Sequence, residues 1–365
     1  MTGLLPEGFH DRLPPAADAA ARLETRVLGL ARQYGYEQVD PPLAEFADEL
    51  ATRLKTGAVH NAVRFVDPVS QRSLAIRPDL TAQVGRIAAT RMGHHPRPVR
   101  LCYAGQVLKL KAPALDPRRA MRQIGCELIG RDSVAAVMEI VRVAIEALQS
   151  AGVEGLAIDF TLPDLVDTLA SGTLPPEKLT TLRERLDAKD AGGVAAIDPK
   201  YLPLIEAAGP FEGAMAKLRA TDAGTALASR IDGLATIAAS IPEGVALTLD
   251  PTERHGFEYQ TWLGFSIFAR GVRGEIGRGG TYMVVHDGGR EEPAVGFSLY
   301  ADPILDAGMG GDARRRLFLP FGTDAATGAA LRAQGWVTVA ALEAEDTPQA
   351  QLCSHELRDG VPVAL

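Results

Sequence analysis

Apolar residues recur at helical spacing over residues 16–34, where Leu23, Val27, Leu30, Ala31 and Tyr34 share one stripe and predict an amphipathic helix. A turn at Gly35 then leads into a short strand that Pro41 and Pro42 stop. Two short apolar runs, Phe65-Val66 and Leu74-Ala75-Ile76, flank a polar turn and predict a hairpin over residues 64–76. Asp79 stands where the N-cap of a following helix belongs. Strand-like runs cover residues 99–111 and 122–128. A helix over residues 134–148 carries Val137, Ile140, Val141, Ala144, Ile145 and Leu148 on one face, with Asp132 or Ser133 as its cap. Leu156, Ile158, Phe160 and Leu162 alternate with smaller or polar residues, as in a half-buried strand.

The texture changes over about residues 163–242, where alanine, leucine and charge predict a helical insertion between two strands. Val245, Leu247 and Leu249 resume the alternation. Residues 262–268 are apolar on both faces, which places them centrally in a sheet. A glycine-rich linker at residues 306–312 ends a first domain of about residues 1–310. The tail, residues 311–365, reads as strand (314–321), helix (325–334) and strand (336–342), a small α/β unit.

Composition narrows the class. The chain has 365 residues, 46% hydrophobic and 23% charged, which is the balance of a globular protein with a substantial core. Neither a membrane-spanning run nor a signal peptide is legible. Cys102, Cys126 and Cys353 are scattered with no Cys-x-x-Cys, so a reducing cytoplasm is expected and no metal site. His94-His95 precedes Pro96 without a further ligand at metal spacing and reads as solvent-exposed. The net charge is −8, from 38 Lys plus Arg against 46 Asp plus Glu, which speaks mildly against a nucleic-acid partner.

Several motifs carry chemistry. Gln123, Gly125 and Glu127 alternate with Ile124, Cys126 and Leu128, so the first three share one face of a strand. The alternation alone reads as a solvated face; a glycine between two polar groups also reads as room for a ligand. Lys109 and Lys111 likewise share a face, open either to solvent or to an anion. Arg77-Pro78-Asp79-Leu80-Thr81, Arg254-His255-Gly256-Phe257-Glu258-Tyr259-Gln260-Thr261, Gly277-Arg278-Gly279-Gly280-Thr281-Tyr282 and the segment from Pro293 to Leu305 complete the set.

Together these segments resemble the signatures of the class II aminoacyl-tRNA synthetases, most closely the histidyl branch, over roughly residues 4–305. In that branch Arg-Pro-Glu-Gly-Thr and Gln-x-Gly-x-Glu hold the amino acid. The resemblance therefore implies histidine-binding roles for Asp79, Thr81, Gln123, Glu127 and Tyr259, with Gly279 and Gly280 giving close backbone approach. Three arginines meet the phosphates of ATP in that branch, and their places here hold Lys109, His255 and Pro303. Gln260 replaces a tyrosine that helps read the imidazole. Losing one preorganised donor costs roughly 2.7–4 kcal/mol of barrier, so amino-acid activation is not expected and no catalytic residue is assigned.

Within the branch, this loss pattern is similar to that of the regulatory subunits of ATP phosphoribosyltransferase, the first enzyme of histidine biosynthesis. That resemblance implies an α+β fold: a class II synthetase-like antiparallel sheet flanked by helices, with the helical insertion and the small C-terminal unit. It implies a non-catalytic chain without cofactor. The implied partners are a short-form catalytic subunit, a second copy of itself within a hetero-octamer, and histidine as effector, with no nucleic acid and no membrane. Helix 16–34 and the Pro41-Pro42-Leu43-Ala44-Glu45 strand end resemble the dimer-forming motif. A divergent synthetase-like ligase and a free-standing histidine-binding module are the alternatives.

Overall fold

The computed structural model describes residues 4–52, 62–111, 117–170, 172–220, 224–254, 259–309 and 315–365. The chain divides into two compact units, Met1–Gly311 and Asp312–Leu365.

The first unit opens with α1 (Ala16–Gln33) and β1 (Glu37–Gln38). A small antiparallel sheet follows, built from β2 (Ala44–Phe46), β3 (Arg64–Val66) and β4 (Ser73–Ile76), with α2 (Ala47–Thr52) beside it. Next come α3 (Thr81–Thr90), the long strands β5 (Val99–Leu108) and β6 (Ala120–Ile129), α4 (Val134–Ser150) and β7 (Leu156–Thr161). The insertion comprises α5 (Leu165–Ala170), α6 (Pro176–Asp187), α7 (Ala191–Ile197), α8 (Leu202–Glu206), the two-residue β8 (Gly209–Pro210), α9 (Phe211–Ala220) and α10 (Gly224–Ala239). The unit closes with β9 (Ala246–Leu249), β10 (Gln260–Ala269), β11 (Gly277–Val285), β12 (Glu291–Tyr300) and α11 (Ala301–Asp306).

Nine strands form one sheet in the order β1-β5-β6-β12-β11-β10-β7-β9-β8. Its centre is antiparallel, but β1 pairs with β5 and β7 with β9 in parallel, so the sheet is mixed toward both ends. As their two-faced apolar pattern requires, residues 262–268 lie on β10, inside the sheet. Ser133 caps α4 by accepting from the Ala136 N–H. The apolar stripe of α4 then packs with Ile124, Cys126 and Leu128 into the main core, where α1 and the insertion also contribute. The opposite face of the sheet is covered by Leu80 and by Val84 and Ala88 of α3, which meet Leu101, Tyr103, Tyr282 and Val284.

Two readings from sequence are corrected. Asp79 is not the N-cap of α3: Leu80 occupies that position, and Asp79 accepts from the Thr81 N–H at 2.7 Å from one residue earlier. Gln123, Gly125 and Glu127 do not face solvent; all three are buried. Cys102 and Cys126, far apart in sequence, are cross-strand partners and lie as buried free thiols in the core. His94 and His95 are exposed, as read.

The second unit contains β13 (Arg316–Leu319), α12 (Ala325–Ala333) and β14 (Val337–Ala340). It adds a hairpin, β15 (His355–Arg358) and β16 (Val361–Ala364), that the apolar pattern did not announce. Leu317, Leu319, Leu331 and Leu357 form its core.

Candidate functional site

The register of the sheet builds the site. Residues directly opposite each other in antiparallel strands project to the same face. One row runs Ser266–Arg278–Ser298–Gly125–Tyr103 across β10, β11, β12, β6 and β5. The next runs Gly264–Gly280–Gly296–Glu127–Leu101. Tyr300 and Gln123 are paired on one flank, and Gln260 and Tyr282 on the other. These rows floor an open cleft, lined also by Asp79, Thr81 and Tyr259.

The two floor glycines are required for the close approach. A Cβ on Gly296 would lie 1.7 Å from Glu127 Oε2, and one on Gly280 would lie 2.3 Å from Gln260 Oε1. Gly280 also holds φ at +153°, which favours glycine.

Glu127 is the electrostatic centre of the cleft. It is buried, and the hydroxyls of Tyr282 (2.7 Å) and Tyr103 (2.9 Å) donate to its two oxygens. Burial pushes its carboxyl up to about 8, against the pull of those hydroxyls. Nearby Asp79 adds to the rise.

Gln123 is fully committed as a donor. Its amide nitrogen donates to Asp79 Oδ2 (2.9 Å) and Ser298 Oγ (2.7 Å), and its carbonyl oxygen accepts from the Leu80 N–H (3.0 Å). An amide carries two N–H donors, so Gln123 offers a ligand only its oxygen. Its main visible work is to aim Asp79. Thr81 lies against the Tyr103 hydroxyl at 3.3 Å, which ties the start of α3 to the Glu127 cluster.

At β10 the register shifts by two residues between Gln260 and Gly264, and Gln260 lines the cleft opposite Tyr282. Its amide nitrogen donates to the Gly279 carbonyl at 3.0 Å. Its buried Oε1 has no hydrogen-bond partner among the described residues. An acceptor left unmet in this way is costly unless a ligand N–H completes it.

The three altered positions part company. Lys109 directly follows β5, with its ammonium 5.5 Å from the ring centroid of Tyr300 at the edge of the cleft. Pro303 is half-buried in α11. Next to it, buried Asp302 forms an ion pair with Arg12, accepts from the Arg122 N–H (3.1 Å) and has Arg118 at 3.9 Å. Arg118 also pairs with Asp306 at 2.7 Å. Cations on this side therefore meet carboxylates of the chain itself. His255 lies outside the described residues, as does most of the segment from Arg254 to Tyr259.

Asp79, Thr81, Gln123, Glu127, Tyr259, Gly279 and Gly280 thus come together around one cleft. Sequence reasoning passed over Tyr103, Tyr282, Ser298, Gly296, Tyr300 and Arg278. Aromatic residues in strands read as core, and nothing in a local pattern marks which face of β11 or β12 the cleft uses. Among the described residues no group of three or more His, Cys, Asp or Glu is placed to hold a metal ion, and no helix is long and apolar enough to cross a membrane.

The family model described as histidyl-tRNA synthetase matches residues 8–304. A protein from Rhodospirillum centenum named ATP phosphoribosyltransferase regulatory subunit is 43% identical, over 98% of this chain and 93% of the relative. A protein of the same name from Paramagnetospirillum magneticum is 42% identical, over 98% and 97%. Among solved structures, an ATP phosphoribosyltransferase regulatory subunit/histidyl-tRNA synthetase from Bacillus halodurans superposes with a TM-score of 0.78 at 20% identity, covering 96% of both chains. A chain of an ATP phosphoribosyl transferase complex from Thermotoga maritima gives 0.60 at 17% identity, over 79% of this chain and 98% of that one. At such identities the structural likeness speaks for the fold alone.

Proposed function

The chain belongs to the family of ATP phosphoribosyltransferase regulatory subunits, built on the histidyl-tRNA synthetase fold, and from that premise we propose that it activates a short catalytic subunit and carries its feedback inhibition by histidine. It is a non-catalytic member of that complex. The observation that carries the reading is the split character of the old reaction centre. The amino-acid side is a connected, buried hydrogen-bond network through Asp79, Gln123, Ser298, Tyr103 and Glu127. On the phosphate side, Pro303 offers no charge, and its neighbour Asp302 is paired with Arg12.

In this reading histidine lies across the glycine floor. Its ammonium meets Asp79, Thr81 and the Gln123 oxygen, its imidazole meets Glu127, and Tyr259 walls the cleft. Binding biases the catalytic partner between active and inhibited states through its different affinity for the two. A dimer of this chain within a hetero-octamer is part of the same proposal. Mixing the chain with a short catalytic subunit is expected to raise phosphoribosyl-ATP synthesis, and added histidine to lower it. Well-folded proteins that show no stimulation would instead favour a free-standing histidine-binding module.

The Glu127 carboxyl gives this reading a pH signature. With its pKa raised to about 8, it holds its proton at pH 7, whereas a free imidazole with a pKa of about 6.5 is mostly neutral there. The pair then carries one proton between about pH 6.5 and 8, free or bound, and histidine affinity is expected to be level across that window. Below it the free ligand holds an extra proton that binding must release. Above it the free carboxylate must take one up, so affinity falls up to tenfold per pH unit. Calorimetric titration from pH 6 to 8.5 reads both limbs. In Glu127→Gln, which cannot ionise, the alkaline limb is expected to vanish; its persistence would remove Glu127 from the ring contact.

A further inference from the structure

Two acceptor oxygens stand over the glycine floor of the cleft, one on Glu127 and one on Gln260. Gln260 is 8% exposed, and its Oε1 has no hydrogen-bond partner among the described residues. The Gly279 carbonyl settles which end of the amide is which. It accepts from Nε2 at 3.0 Å, and an amide oxygen in that place would face another oxygen. A hydroxyl, such as the tyrosine of the family signature at this position, both donates and accepts; an amide oxygen only accepts. We infer that Gln260 Oε1 receives one ring N–H of the bound ligand while Glu127 meets the other ring nitrogen, so that Gln260 sets the proton requirement of the site. This role rests on reading the cleft as a histidine site.

The glycines bring the two acceptors together. Gly280 on β11 pairs with Gly296 on β12. A Cβ on Gly280 would lie 2.3 Å from Gln260 Oε1 and 2.6 Å from its Cδ, and one on Gly296 would lie 1.7 Å from Glu127 Oε2. Each oxygen thus takes the space of a missing side chain, on neighbouring strands whose paired Cβ positions are about 4.5–5.5 Å apart. A five-membered ring lying between them turns one nitrogen to each.

Two acceptors facing one ring fix how many protons the complex holds. A neutral imidazole carries a single N–H. With that N–H turned to Gln260, the nitrogen facing Glu127 is bare, and the contact needs a proton between the two. With the N–H turned to an ionised Glu127, the bare nitrogen faces Oε1, and two acceptors oppose each other without a donor. The complex therefore keeps one proton in the Glu127–ring pair. Burial raises Glu127 to about 8, with Asp79 adding to the rise, so that proton is in place at pH 7 and must be taken up above pH 8. Burial pushes Tyr103, Tyr259 and Tyr282 above the ordinary tyrosine value, and against burial Glu275 keeps Arg278 cationic, so these neighbours hold their charge across the window.

The test is calorimetric titration of the full chain with histidine from pH 6 to 8.5, in the unaltered protein and in Gln260→Met, which keeps the length of the side chain without the acceptor. At pH 7 the variant is expected to bind histidine about tenfold more weakly, the size of one neutral hydrogen bond. Above pH 8 the unaltered protein is expected to lose affinity by up to tenfold per pH unit. The variant is expected to stay level there, because its ring is free to turn the single N–H to the Glu127 carboxylate. The two ring-methylated histidines, titrated into the unaltered protein at pH 7, are each expected to bind at least about tenfold more weakly than histidine, and they decide the matter if the methionine variant does not fold. A variant that loses affinity equally at every pH, or loses none, overturns the inference and leaves Gln260 a structural partner of Gly279. So does a ring-methylated histidine that binds as well as histidine itself. An unaltered protein that binds no histidine overturns the reading of the cleft itself.

Discussion

Glu127→Ala is expected to raise the histidine concentration for half-inhibition by about two orders of magnitude, while the complex with the catalytic subunit still assembles. Two effects add in the same direction. The ring N–H loses its acceptor, and hydrogen bonds to charged or charge-sharing groups contribute roughly 1.5–3 kcal/mol. In addition, the Tyr103 and Tyr282 hydroxyls that now end on Glu127 lose their acceptor inside the cleft. A buried donor without a partner costs about 1–3 kcal/mol. Part of that second cost falls on stability, so the variant is expected to melt earlier as well. Inhibition curves and assembly by size-exclusion chromatography, run side by side, separate the two. If histidine inhibits the variant as it does the unaltered complex, the effector site is elsewhere, for instance at the subunit interface.

Gly296→Ala is expected to be at least as damaging, although it adds a single methyl group. The new Cβ would stand 1.7 Å from Glu127 Oε2, 2.5 Å from its Cδ and 2.7 Å from the Cys126 carbonyl oxygen. The carbonyl belongs to the paired strand β6 and cannot step aside, and Glu127 is held by two hydroxyls. Overpacking of this kind typically costs 1–3 kcal/mol and sometimes more. The expected result is a lowered melting temperature together with loss of histidine binding. A double variant, Glu127→Ala with Gly296→Ala, removes the main clash. It is expected to melt above Gly296→Ala alone and still to bind no histidine, a coupling that a double-mutant cycle measures directly. Additive losses in that cycle would show that Gly296 matters through the Cys126 backbone and not through Glu127.

Much of the fold was legible before any coordinates. The stripe of α4 follows from periodicity, because burying one face of a helix imposes a spacing of 3.6 residues; β10 follows from an apolar run on both faces, and the hairpin of β3 and β4 from two apolar runs around a polar turn. The C-terminal hairpin of β15 and β16 escaped for the converse reason. Of its residues only Leu357 is buried, so no alternation announces it. Asp79 was misplaced by one residue at the start of α3, where side-chain acceptance from an N–H two residues on resembles a cap.

The site divides along the same line. The sequence by itself determined the chemistry available: a carboxylate at Glu127, an amide at Gln123, glycines at 279 and 280, and, through the family resemblance, a proline where a cation is expected. Spacing within one strand put Gln123, Gly125 and Glu127 on one face, since i and i+2 share it, and the resemblance implied the rest. Only the tertiary structure decided what those groups became. It brought β5, β6, β11 and β12 into register, so that Tyr103 and Tyr282, 179 residues apart in the chain, donate to one carboxylate. It buried that carboxylate and so raised its pKa. It set two extra residues of β10 between Gln260 and Gly264 against β11, so that Gln260 pairs with Tyr282 beside the cleft. Burial, register and bulges are set by partners far along the chain, and a local pattern carries no record of them.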